Sequence, residues 1–243
     1  MERPTWDSAG VPPSCMIITY NQHAPSLRRP ETLEDDFIVF AMSARDYEEL
    51  DSTEKFSRFL EIAARHHPVN ISDSMKGVLH RPSKGLNPLV HWFRKDEPDV
   101  SALISSVEGP TVAAAVFNNE SAVVAFLRDI KEVDLGVSIN INSLTDRADA
   151  LASQAGITRH SVTYSLGFFG TLDKLPECSA LQLSTMSGHG MISFDFARKM
   201  IDWVKAGRRT PEEACRYMAR FFICGVFNTT RAARILLACR SED

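Results

Sequence analysis

Apolar residues recur along this chain in two rhythms, and the breaks between them outline the expected elements. Met16 to Tyr20 and Phe37 to Met42 are short apolar runs flanked by polar, proline-punctuated chain, the pattern of buried strands. From Asp51, with Glu54 three residues on as in a capping box, Phe56, Phe59, Leu60 and Ala63 fall at i, i+3, i+4 and i+7. They form one stripe of a helix that ends before Pro68. Residues 68–98 lose all rhythm, with four prolines and two glycines, and read as an irregular loop over a site or as an insertion.

Regularity returns at Thr111 to Phe117, a predicted strand closed by Asn118-Asn119. Val123, Phe126, Leu127 and Ile130 predict a helix from Glu120, and Leu135 to Ile141 the next strand. Ser143 and Asp146 resemble a capped helix start, and Gly156 suits the end of that helix. His160 to Leu166 and Ala180 to Thr185 read as two further strands. Ser193 then caps a helix striped by Ala197, Met200, Ile201 and Val204 and ended by Gly207. Thr210-Pro211-Glu212-Glu213 is the sharpest local signal: an N-cap, proline in the first turn and glutamate at N3. A last helix starts at Asn228 or Thr229.

Strand–helix–strand–helix–strand with short links favours parallel pairing. The expected fold is therefore α/β, a mixed, mostly parallel sheet with flanking helices and a helical C-terminal section. An α+β arrangement of the ferredoxin-like kind uses similar elements and is the runner-up. Residues 1–14 read as a loose leader and 15–243 as a single α/β domain, with the irregular loop at 68–98 and the helical end at 193–243.

Composition narrows the class of function. With 44% hydrophobic and 24% charged residues, the 243-residue chain has ordinary globular composition, which argues against disorder, collagen and coiled coil. A net charge of −4 opposes a general nucleic-acid binder. The charge is uneven: Ser193 to Asp243 carries +4 and the preceding residues −8, so any basic surface belongs to the terminal helices. No run approaches the roughly 20 apolar residues of a membrane span. The five cysteines include no C-x-x-C pair, which favours free thiols over a disulfide framework or zinc ribbon. The expectation is a soluble, cytoplasmic protein whose partner is a small-molecule ligand, with no nucleic acid and no membrane; a homo-oligomer stays open.

Chemistry is expected where polar punctuation follows predicted strands. Ser187-Gly188-His189-Gly190 joins a predicted strand to a predicted helix, the place where open α/β sheets bind ligands. Its glycines allow a tight turn, and His189 is a candidate acid/base group. The bland alternative is a turn that His189 merely fixes. Cys224, beside Gly225 at a helix boundary, is a candidate nucleophile, because a helix N-terminus lowers a thiol pKa. Its apolar neighbours argue instead for a packed core cysteine. Ser138, Asn140 and Asn142 alternate onto one strand face. With Asn118 and Tyr164 they are candidates for orienting a substrate, the alternative being capping or solvent-facing amides. His23 is a weaker candidate of the same kind.

No Rossmann, Walker, G-x-S-x-G or H-E-x-x-H pattern occurs, so no cofactor and no metal is assigned. The leading functional expectation is a small-molecule enzyme with His189 and Cys224 catalytic and Ser187, Gly188, Gly190, Asn118, Asn140, Asn142 and Tyr164 binding substrate. The alternatives are a noncatalytic small-anion or metal-binding module, and an interaction protein whose basic end docks on an acidic partner.

Overall fold

The computed structural model describes residues 17–21, 33–42, 52–73, 77–78, 99–108, 111–159, 161–164, 171–222 and 224–241, and the structural statements below concern these. The expected leader 1–14, His23 and residues 79–98 of the expected loop lie outside them. The strands are β1 (Ile17–Asn21), β2 (Phe37–Met42), β3 (Asn70–Asp73), β4 (Gly77–Val78), β5 (Val112–Phe117), β6 (Ser138–Asn142) and β7 (Ser161–Tyr164). The helices are α1 (Ser52–Arg65), α2 (Val100–Ser105), α3 (Glu120–Val133), α4 (Thr145–Gln154), α5 (Cys178–Ser184), α6 (Phe194–Lys205), α7 (Pro211–Ala219) and α8 (Thr229–Ser241).

All seven strands join one sheet in the order β4-β3-β5-β2-β6-β1-β7. The expected mostly parallel sheet does not form. Among the described strands only β1 pairs in parallel, with β6 and β7. β2 is antiparallel to both β5 and β6, and β3 is antiparallel to β4 and β5. The fold is mixed α+β, with which the runner-up class is compatible.

The helix–strand alternation read from residues 111–166 is real, and it explains the error. β5, β6 and β7 run the same way and are linked by α3 and α4, but none of the three is hydrogen-bonded to another. β2 fills the gap between β5 and β6, and β1 the gap between β6 and β7. Periodicity reports burial along a strand and is silent on the direction of its neighbour. Two further expectations fail. β3 and β4 lie within the stretch expected to be a loop. Ala180 to Thr185, expected to be a strand, is mostly the short helix α5, buried from Ala180 to Ser184. A short apolar run fits a strand or a buried helix equally well.

One sheet face carries Val39, Ala41, Ala115, Ile71, Ile139 and Ile141 and packs on α1, α3 and α4. The phenylalanines of these elements meet at its centre, Phe126 lying 5.3 Å from Phe59 and 5.2 Å from Phe117 between ring centroids. A second apolar core holds α5 to α8 together, with Phe222 and Phe227 stacked 4.4 Å apart. The segment between α7 and α8 ties this helical unit to the opposite sheet face. Ser72 Oγ donates to the Cys224 carbonyl at 2.6 Å, and Asn70 Nδ2 donates to that of Phe227 at 3.4 Å. No described helix is long and apolar enough to cross a membrane.

Candidate functional site

β6 positions the first group of candidates. Its sequence alternates, so Ile139 and Ile141 face the aromatic core while Ser138, Asn140 and Asn142 take the other face. All three polar residues are nonetheless buried, Asn140 completely. Asn140 Nδ2 donates to the Ser138 carbonyl at 3.3 Å, so its amide folds back along its own strand. Asn140 Oδ1, Asn142 Oδ1, Ser143 Oγ and Thr145 Oγ1 are buried and have no hydrogen-bond partner among the described residues. Four such oxygens fall between residues 140 and 145, where the strand passes into α4. Buried polar groups are normally paired, so a cluster of orphans needs a cause.

The expected cap at Ser143 is not made. The N-cap is Leu144, one residue later, whose side chain has no acceptor, and the first turn of α4 takes no side-chain cap. The equivalent turn after β5 is completed internally, since Asn119 Oδ1 accepts from the Ala122 N–H at 3.1 Å. Phe117 is in register with Phe37 and Asn142 with Ile38. Asn118 and Asn142 therefore stand at the same end of the sheet, two strand spacings and two residues apart, or about 12 Å. Tyr164 reaches that end on β7, in register with Asn21 and one residue off the row of Tyr20 and Asn142.

The glycine-loop candidates sit elsewhere. Because α5 replaces the expected strand, Ser187 to Gly190 join two helices within the second core and do not stand at a strand end. The glycines are required as expected: Gly188 and Gly190 have φ of +75° and +62°. Ser187 is buried and accepts the His189 backbone N–H at 3.3 Å. The His189 residue is exposed. Cys224 meets this loop, and burial pushes its thiol pKa up while hydrogen bonding from Val226 and Ser187 opposes that shift. The structure thus brings Ser187 together with Cys224, and Asn140 together with Asn142, but separates the two pairs. Cys224 is tied to Ser72, whose row runs through Ala114 and Phe40 to Asn140, three strand spacings or about 14 Å away.

A third polar cluster was not anticipated. Arg231 and Asp36 are both buried and paired at 2.6 Å. Asn228 Nδ2 donates to Asp36 Oδ1 at 3.0 Å, and its own Oδ1 accepts the Arg231 N–H at 3.0 Å. Asn228 was legible as a helix cap. Its second partner, nearly two hundred residues away in sequence, was not. Among the described residues no group of three or more histidines, cysteines or carboxylates is placed to hold a metal ion. No family model, curated protein or solved structure matches this chain at a significant level.

Proposed function

We propose that this chain binds a small polar molecule at the turn from β6 to α4, as a binding or regulatory module. The supporting observation is the cluster of buried, unpartnered oxygens on Asn140, Asn142, Ser143 and Thr145. An unsatisfied buried polar group costs about 1–3 kcal/mol. Four together are tolerated most simply as the lining of a site whose partner comes from outside. The location agrees, since this edge collects the C-terminal ends of β5 and β6 and the helix starts that follow them. Asn118 belongs to the same edge. A cytoplasmic setting fits the free thiols of Cys178, Cys215, Cys224 and Cys239.

Thermal unfolding against a panel of carboxylates, phosphates, polyols and nucleosides tests the proposal. At least one class raises the midpoint of the wild-type chain, and Asn142→Leu removes that rise without lowering the ligand-free midpoint. A panel with no stabilising member, or an Asn142→Leu chain that still responds in full, overturns it.

A catalytic reading of Ser187, His189 and Cys224 has one observation in its favour, the contact between Ser187 and Cys224. Against it, the raised thiol pKa keeps Cys224 protonated at neutral pH, where the thiolate is the nucleophile. The expected result is that iodoacetamide labels Cys224 more slowly than exposed Cys178 at pH 8, with its rate rising further into the alkaline range. Faster labelling of Cys224 than of Cys178 restores the catalytic reading.

A further inference from the structure

The charge class of the ligand follows from the same turn, and this step rests on the binding proposal above. We propose that the first turn of α4 is an oxyanion site that receives a carboxylate or phosphate group. α4 runs ten residues, from Thr145 to Gln154. A helix of this length presents unpaired N–H groups and roughly half a positive charge at its start. Among the described residues no side chain caps them, because Leu144 holds the N-cap position and makes no side-chain bond.

A second observation points to a ligand independently of the helix end. Ser143 is only 2% exposed and Asn142 5%. The Ser143 hydroxyl is buried without a partner, as is Thr145 Oγ1 on the far side of the N-cap. Two hydroxyls that can donate therefore lie one residue to either side of the N-cap, next in sequence to backbone N–H groups that no side chain caps. The chemistry complementary to such a set is an acceptor with several lone pairs, which an oxyanion supplies. A cation is opposed by the positive helix end.

The surrounding charges set a limit. Arg147, in the same turn, is engaged by Glu120 at 2.6 Å and lies 3.9 Å from Glu34. Asp146 adds an exposed carboxylate. With no uncommitted cation in the turn, the donors are neutral, which favours one negative charge over two.

The test uses the full chain labelled with ¹⁵N, titrated with sodium acetate, with inorganic phosphate and with glycerol as the uncharged probe, at ionic strength matched by sodium chloride. Acetate or phosphate is expected to shift the Thr145, Asp146 and Arg147 amide signals saturably. The stronger of the two identifies the anion's source. Ser143→Ala weakens the apparent affinity about tenfold, the loss expected for one hydrogen bond to a charged group. Thr145→Val serves as the second variant should Ser143→Ala fail to fold. If glycerol moves these amides and neither anion does, the oxyanion claim falls while the polar-ligand proposal stands. If no probe moves them, the oxyanion claim falls, and the polar-ligand proposal falls with it only when the wider thermal panel also has no stabilising member. A shift of equal size and midpoint in the variants also overturns the site.

Discussion

Among the described residues Arg231 is the largest side chain buried completely, and its charge is met by Asp36 at 2.6 Å. Removing one partner of such a pair strands the other charge in a medium that cannot solvate it. Asp36→Asn is expected to lower the unfolding free energy by about 3–5 kcal/mol, read from urea denaturation. A loss under 1 kcal/mol shows that water reaches the arginine. The buried Cys215 thiol gives a pH dependence of known sign. Burial pushes the Cys215 pKa up to about 12, above the ~8.5 of an unfolded thiol. Its contribution is complete below the unfolded value and is lost as pH rises toward the folded one. Stability should decline in the alkaline range, and a Cys215→Ala chain should decline less steeply. Parallel curves remove Cys215 as the cause.

At the scale of elements, the helix ends show why some of the fold is readable. Thr210 and Glu213 exchange hydrogen bonds at 3.2 and 3.1 Å, completing the capping box that the four-residue pattern predicts. Ser193 Oγ likewise accepts from the Phe196 N–H at 3.1 Å. Gly156 and Gly207, expected as helix stops, both take left-handed φ angles. These features depend on atoms within a few residues, so the local sequence contains their cause. Ser143 has the same appearance and a different fate, because the helix begins one residue too late for it to cap. Thr210→Ala is therefore expected to cost about 1 kcal/mol, and Ser143→Ala nothing or a slight gain, by thermal unfolding of the ligand-free chain. Equal losses mean that Ser143 is bonded in solution and that its place in the proposed site is wrong.

At the scale of the whole molecule, the described residues form two apolar cores with polar contacts between them. Asn70, Ser72 and Asp36 on the sheet side meet Phe227, Cys224, Asn228 and Arg231 on the helical side. Asn228 holds a central position, since it bonds Asp36 and caps α8 together. Asn228→Ala should speed native-state hydrogen exchange through α8 while β5 and β6 keep their protection. Equal acceleration in the sheet would show that the two cores open as one unit.

The sequence alone determined the positions of most helix ends, the buried faces of α1, α3 and α6, and the alternation along β6 that sets its asparagines apart from its isoleucines. All of these follow from interactions within one or two turns of chain or from the period of a single element. Tertiary structure alone decided that β2 runs against β5 and β6, and that Ala180 to Ser184 is helical. It also decided that the glycine loop and Cys224 meet away from the β6 edge, and that Ser143 is left without a partner. Each of these depends on which distant segment arrives alongside, and Asp36 beside Arg231 is the extreme case. A hydrogen bond or a strand pairing is fixed by what lies across from it, which no local pattern encodes.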